Sequence, residues 1–174
     1  IRSVVGMAER AAGLTLESVL VNVTAGRLGS ETFSATVSLG GQEVEKSDLV
    51  RVLRAVNERS VRPERSIIHA LPIGYSLDGQ KGVKDPLGMV GEKLGVDVSV
   101  VSAETLAMRN IELVLHRCHL QIEALVATPY ASGLATLVDD ESQLGVACLD
   151  FGGATTTVAV FADSQLVYAD AIAI

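Results

Sequence analysis

The chain has 174 residues, enough for one large domain or two small ones, and 48% of them are hydrophobic while only 3% are aromatic. Its core must therefore be aliphatic, which suits Val-, Ile- and Leu-rich sheets covered by helices. A formal net charge of −7 and the absence of a Lys/Arg cluster argue against binding to nucleic acids or acidic lipids, because both require a basic face. No apolar run approaches the roughly 20 residues of a membrane-spanning helix.

The sequence opens with the pattern of one helix and two strands. Apolar residues recur at helical spacing from Ile1 to Ala12, and Gly13 is placed to end this helix. Strands are predicted over 19–25 and 32–39, and the two could form a hairpin. The chain begins inside this helical pattern and stops inside a strand pattern, so we expect an internal fragment of a longer protein.

A second helix and further strands follow. Ser47 can cap a helix whose apolar residues recur at helical spacing. The run 66–77 predicts a long strand, in which Pro72 indicates a sheet edge or a bulge because proline lacks the N–H that a central strand needs. A glycine-rich loop and a strand over 96–101 complete this part of the chain.

After Ser102 the pattern changes to alternating helices and strands. A helix is predicted over 103–117, a short strand over 123–127 and a small-residue helix over 130–138. Three strands, GVACLD, TTTVAVF and QLVYADAIA, close the sequence. The whole order is that of a mixed α/β protein with an inserted α+β module.

The most informative stretch is LDFGGATTTVAVF, residues 149–161. Two interpretations stay open on the residues alone. Gly-Gly between two strands is typical of a tight hairpin, where glycine reaches positive φ without strain. Alternatively, the consecutive amides of residues 152–155 form an anion site next to Asp150, a carboxylate at the end of a buried strand.

The remaining reactive residues carry weaker patterns. Cys118 and Cys148 are unpatterned, which favours a reducing compartment over a disulfide framework. The HRCH stretch at 116–119 lacks a second ligand pair at metal-binding spacing, so a helix end explains it better than a metal site. No direct metal ligand is therefore predicted.

Three segments in the same order carry a resemblance to a known family. LDFGGATTTVAVF is similar to a phosphate hairpin, KDPLGMVG to an Asn-Pro-x-Gly loop with Asp85 in place of Asn, and RCHLQIEALVATPYASGLATL to the helix–strand–helix segment before the hairpin. The resemblance covers essentially the whole chain, with its parts in the order of the family. The chain thus resembles the actin-like ATPase superfamily and, within it, the FtsA family of bacterial cell-division proteins.

This resemblance implies a fold and a division into parts. The fold is expected to be α/β, with actin-like (ribonuclease-H-like) core pieces and an inserted strand–helix–strand subdomain of the 1C type. Residues 1–17 and 103–140 would belong to the first core domain, and residues 18–102 would form the inserted subdomain. Residues 141–174 would open the second core domain with the phosphate hairpin.

The resemblance also assigns roles to the hairpin. Gly152, Gly153, Ala154 and Thr155 would contact the phosphates of ATP, while Asp150 would hold the waters around Mg²⁺. Two departures from the family pattern are Ala154 in place of the third glycine and Thr157 in place of an Asp.

A third departure concerns hydrolysis. Thr128 occupies the place of the Glu that positions the attacking water in related ATPases, and a threonine hydroxyl cannot act as a general base near neutral pH. The resemblance therefore implies a weak ATPase at most, in the full-length protein. The first phosphate hairpin and the adenosine pocket are expected outside this chain, so neither ATP nor Mg²⁺ binding is expected of the chain alone.

The implied function is assembly at the division site. Members of the family form filaments, link the tubulin-like FtsZ ring to the cytoplasmic face of the inner membrane and recruit later division proteins through the 1C-type subdomain. The FtsZ site and the membrane helix are expected outside this chain. Within it, we expect the contact surface at Pro72 and at the loop of Lys84, Asp85, Pro86 and Gly88. The alternatives are an actin-like pilus-assembly adaptor and a sugar or acetate kinase of the same superfamily.

Overall fold

A computed structural model describes residues 1–60 and 62–173. Its helices are α1 (Arg2–Ala12), α2 (Lys46–Ser60), α3 (Thr105–His116), α4 (Thr128–Thr136) and α5 (Asp139–Leu144). Its strands are β1 (Ser18–Val23), β2 (Gly29–Ser38), β3 (Arg65–Leu77), β4 (Gln80–Val83), β5 (Lys93–Glu104), β6 (Gln121–Ala127), β7 (Val146–Phe151), β8 (Thr155–Ala162) and β9 (Gln165–Ala173). The predicted mixed α/β order is confirmed, while α5 and β4 were not predicted.

The strands form two sheets, and the first strand does not pair as predicted. β1 pairs in parallel with β6, whereas the larger sheet has the order β4-β3-β5-β2-β9-β8-β7. The expected hairpin between the first two strands is therefore wrong. Its place is taken by a turn at Gly26 and Arg27, both with positive φ. This turn lets β2 pair with β5 over its whole length, from Gly29 to Ser38.

Two hydrophobic clusters fill the interior. The first core cluster joins β1, β6 and the C-terminal strands and consists of Val23, Leu28, Val101, Ala103, Met108, Ala127, Ala159, Phe161, Leu166 and Ala169. The second core cluster lies between α2 and the sheet and consists of Ala35, Leu39, Val44, Val52, Val56, Leu77, Leu94, Val96, Val98 and Val100. β5 contributes to both clusters. The aliphatic core expected from the composition is confirmed.

β3 has the irregularity that its proline predicts. The register with β5 shifts between Pro72 and Gly74, which is a bulge. On its other side, β4 pairs only with residues 75–77. The preceding part of β3 thus has no strand partner on that side among the described residues, and the expectation of an edge or a bulge at Pro72 is confirmed.

The start of α2 differs from the prediction. The helix begins at Lys46, one residue before Ser47. The carboxylate of Asp48 accepts a hydrogen bond from the Glu45 backbone N–H at 3.0 Å, while the Ser47 hydroxyl donates to Glu45 Oε2. An acidic side chain in the first turn therefore accepts the hydrogen bond of the backbone N–H just before the helix. Acidic residues have the same role in capping boxes.

α1 lies at the surface, with no buried residue. Val4, on its predicted apolar face, and Met7, outside that face, are both more than half exposed. Among the described residues, no helix is both long enough and apolar enough to cross a bilayer.

α4 approaches β8 closely because it carries Gly133 at the contact. A Cβ atom on Gly133 would lie 2.4 Å from Phe161 Cε2, and Phe161 is only 3% exposed. We expect Gly133→Ala to lower the free energy of unfolding, since overpacking costs about 1–3 kcal/mol and exceeds the roughly 1 kcal/mol that alanine gains in a helix. Urea unfolding measures the difference.

Gly6 in α1 is the matched control. A Cβ atom there would meet only the end of the Arg10 side chain, at 3.6 Å. Gly6→Ala should therefore raise helix stability by about 0.5–1 kcal/mol. If both alanine variants raised the free energy of unfolding, or both lowered it, the packing argument would be contradicted.

Candidate phosphate-binding site

The candidate site is built on the hairpin of β7 and β8. The two strands pair antiparallel from Val146 opposite Phe161 to Phe151 opposite Thr156, and Asp150 lies opposite Thr157. Residues 152–154 connect the strands, and the Gly152 N–H donates to the Thr155 carbonyl at 2.9 Å. One turn thus brings together all of the predicted residues, which are Asp150, Gly152, Gly153, Ala154 and Thr155.

The two glycines of this turn serve different purposes. Neither has a positive φ, so the conformational reason for glycine in an ordinary tight hairpin does not apply. A Cβ atom on Gly152 would lie 2.9 Å from the Thr155 carbonyl oxygen, whereas one on Gly153 would meet no described residue within 4 Å. The chain's own packing therefore requires the glycine at 152 but not the one at 153. Ala154 also lacks a positive φ and replaces the family's third glycine without strain.

Asp150 is held by α4. Its Oδ2 accepts a hydrogen bond from the Ser132 hydroxyl at 3.0 Å. Its cross-strand neighbour Thr157 is 2% exposed, and the Thr157 hydroxyl has no hydrogen-bond partner among the described residues. A buried hydroxyl without a partner is uncommon in folded proteins. The face of the hairpin that carries Asp150 thus has a hydroxyl group, that of Thr157, available for a hydrogen bond that the described residues do not make.

Thr128 lies where two parallel strands end. It begins α4 directly after β6, and Thr24 directly follows β1. Their hydroxyl oxygens lie 3.0 Å apart. Thr128 and Ser132 are four residues apart in α4 and so lie on one helix face. The structure therefore places the predicted Thr128 on the same face of α4 as Ser132, the residue that donates to Asp150.

His69 also contacts the start of α4. Its Nε2 accepts a hydrogen bond from the Ala127 N–H at 3.0 Å, and its ring meets that of Tyr130 edge-on with centroids 5.0 Å apart. Burial lowers the pKa of His69 below its usual value, which favours the neutral imidazole that can accept this bond.

The sequence interpretation missed Thr24, Ser132 and His69. Ser132 alone carried a local signal, its four-residue spacing from Thr128 in a small-residue helix. The other two contacts join residues distant in the chain, which no local pattern reveals.

The predicted contact surface is only partly exposed. Pro72 and Lys84 line one cavity of about 430 Å³ between β3, β4 and the turn that joins β8 to β9. Pro86, however, is fully buried, so its assignment to a contact surface is wrong. The reason is the way the 84–88 loop folds back on residues 43–44.

Two of the predicted loop residues hold that fold. The Asp85 carboxylate accepts a hydrogen bond from the Leu87 N–H at 3.0 Å. The Gly88 N–H donates to the Val44 carbonyl at 3.1 Å, from a backbone with positive φ. The exposed apolar side chains are instead Leu87 within this loop and Met89 and Val90 directly after it.

Comparisons with known proteins show which proteins this chain is similar to. Residues 25–102 match the family described as the SHS2 domain inserted in FTSA. The chain is 56% identical over 172 residues to the cell division protein FtsA of Rhizobium meliloti (strain 1021), covering 99% of this chain and 39% of that protein. FtsA of Pseudomonas aeruginosa is 32% identical over 166 residues, with 95% of this chain and 40% of that protein covered. The chain thus spans about two fifths of the length of these curated relatives.

A solved structure shows the same fold. One chain of a PilM-PilN type IV pilus biogenesis complex superimposes with a TM-score of 0.60 at 16% identity, covering 99% of this chain and 48% of that chain. At this identity the likeness concerns the fold alone, and it does not favour a pilus function. The matched SHS2 range and the identity across almost all of the chain show that it belongs to the FtsA family of cell division proteins.

Proposed function

We propose that this chain is the assembly and phosphate-binding segment of an actin-like cell-division protein. Its full-length protein would form filaments at the division site, link the FtsZ ring to the cytoplasmic face of the inner membrane and recruit later division proteins. The observation that carries this proposal is the 56% identity with an FtsA over 99% of the chain. The FtsZ site and the membrane helix would belong to parts of the protein outside these residues.

The hairpin would bind the phosphates of ATP together with Mg²⁺. Three observations fit such a ligand: the space that the described residues leave open at Gly153, the absence of strain at Ala154, and the buried hydroxyl of Thr157 beside Asp150, which has no partner among those residues. The amides of residues 152–155 would contact the phosphates, and Asp150, fixed by Ser132, would hold waters of the Mg²⁺. When bound, the ion would neutralise phosphate charge.

Hydrolysis would be slow in this protein. Thr128 shares its hydroxyl contact with Thr24, and neither side chain can accept a proton from water near neutral pH. The nucleotide would therefore act mainly as a ligand that closes two domains, with at most weak ATPase activity in the full-length protein.

Self-association would use the exposed apolar residues in the 84–88 loop and directly after it. We expect the double variant Leu87→Glu/Met89→Glu of the full-length protein to pellet several-fold less in the presence of ATP. Charges placed on an apolar contact must be desolvated without a partner, which opposes assembly. Sedimentation measures the pelleted fraction, and a nucleotide titration should show unchanged ATP affinity.

Val50→Glu provides the matched control. Val50 is an apolar residue in the same part of the chain and is 66% exposed, but it lies on the helix α2 and not in the loop. This variant should pellet like the parent. Equal pelleting of the double variant would place the filament contacts elsewhere in the protein.

A further inference from the structure

His69 connects the inserted module to the phosphate-binding side of the molecule. It lies on β3, whose neighbour β5 forms much of the second core cluster. Its hydrogen bond, however, is made to Ala127, a residue of the first core cluster at the end of β6. The imidazole therefore adds a directed hydrogen bond to the apolar contacts that Ile68 and Leu71 of the same strand make with the first core cluster.

The contact falls at the point where α4 begins. Ala127 is the residue directly before Thr128, so fixing its N–H fixes the backbone from which the helix starts. Tyr130, in the first turn of α4, meets the His69 ring edge-on. The same Tyr130 ring stacks with Phe161 of β8 at a centroid distance of 6.3 Å. His69 thus contacts the first turn of α4 on both its backbone and its side-chain side.

From this turn the contacts continue to the hairpin. Thr128 and Ser132 lie on one face of α4, and Ser132 donates to Asp150. Phe161 lies on β8, the strand that begins with Thr155. A displacement of the first turn of α4 would therefore shift both the hydroxyl that holds Asp150 and the strand that carries the hairpin.

We infer that His69 is a positioning residue that couples the inserted module to the phosphate site through the start of α4. The coupling rests on the nucleotide site proposed above. It requires an acceptor atom at the place of Nε2, because the Ala127 N–H is the donor. Movement of the module during assembly would then alter nucleotide affinity, and nucleotide binding would in turn bias the module.

Three substitutions separate this role from simple packing. His69→Gln keeps an acceptor oxygen at about the reach of Nε2, His69→Asn ends one methylene shorter, and His69→Leu keeps volume without an acceptor. In the full-length protein, we expect the Leu and Asn variants to bind Mg·ATP about threefold to tenfold more weakly, the range that one hydrogen bond is worth. The Gln variant should bind within about twofold of the parent.

The same variants test the coupling to assembly. Sedimentation with and without ATP should show a smaller effect of the nucleotide on pelleting for His69→Leu and His69→Asn, with recovery in His69→Gln. His116→Leu, at an exposed histidine that ends α3, is the control and should match the parent. If His69→Leu fails to fold, the Gln and Asn pair gives the answer.

The outcomes distinguish two failures. If Gly153→Asp abolishes ATP binding while all three His69 variants match the parent, the coupling is wrong and the nucleotide site stands. If Gly153→Asp leaves ATP binding unchanged, the nucleotide site itself is wrong and the coupling is overturned with it. Equal losses in the Gln, Asn and Leu variants would reduce His69 to a packing residue.

Discussion

Gly153→Asp is expected to abolish Mg·ATP binding by the full-length protein. A Cβ atom at this position meets no atom of residues 1–60 and 62–173 within 4 Å, so the aspartate can be accommodated without disturbing the hairpin. Its carboxylate would instead occupy the space proposed for the phosphates. Like charges brought together in a site cost several kcal/mol, which corresponds to a loss of affinity of about a hundredfold or more. Titration calorimetry with Mg·ATP measures the effect.

Gly153→Ala is the control for this substitution. It adds a methyl group in the same open space, at a residue without positive φ, so the fold and much of the affinity should be retained. Unfolding curves of the parent, alanine and aspartate proteins should coincide within about 0.5 kcal/mol, as expected for exposed positions. An aspartate variant that binds Mg·ATP like the parent would show that the hairpin is only a turn.

The second large effect is expected from Thr128→Glu, which should raise the ATP turnover of the full-length protein about tenfold. The substitution places a carboxylate at the start of α4, where the threonine hydroxyl can orient a water but cannot accept its proton. A tenfold gain corresponds to about 1.4 kcal/mol in the barrier. A steady-state phosphate-release assay measures turnover at saturating ATP, and nucleotide affinity should change little.

Thr128→Gln separates the carboxylate from its size. Glutamine has the same length and can donate to the Thr24 hydroxyl, but it cannot take a proton. Turnover in this variant should remain at the level of the parent. Equal rates in the glutamate and glutamine variants would mean that another step, such as domain closure or product release, limits hydrolysis.

Local patterns predicted the elements more successfully than their partners. The hairpin of β7 and β8 follows from alternation and turn residues within 16 neighbouring positions, and the bulge at Pro72 follows from the chemistry of one residue. The parallel pairing of β1 with β6 joins residues about a hundred positions apart. Such pairing leaves no local signature, because the hydrogen-bonding groups are those of any strand.

The candidate site shows the same limit. Asp150 and the glycines were identifiable since a carboxylate followed by two glycines is unusual directly after an apolar run. The burial expected of that run was wrong, because every described residue of β7 is half-buried or exposed. The loop around Pro86 was misjudged because proline and glycine indicate a turn without indicating which side of it is buried. The Ala127 contact of His69 depended on the position of a whole subdomain, which no residue pattern encodes.

Side chains of β5 pack into both hydrophobic clusters, and this affects the stability of the inserted module. Val96, Val98 and Val100 point into the second core cluster, while Val101 and Ala103 belong to the first. Disrupting either cluster would displace β5 and so expose the β5 residues of the other cluster. The two clusters should therefore behave as one cooperative folding unit. A ligand bound only at the distant hairpin would then also protect α2 against unfolding, by mass action on the shared native state. The inserted module therefore unfolds together with the rest of the chain, and not as an independent domain on a flexible linker.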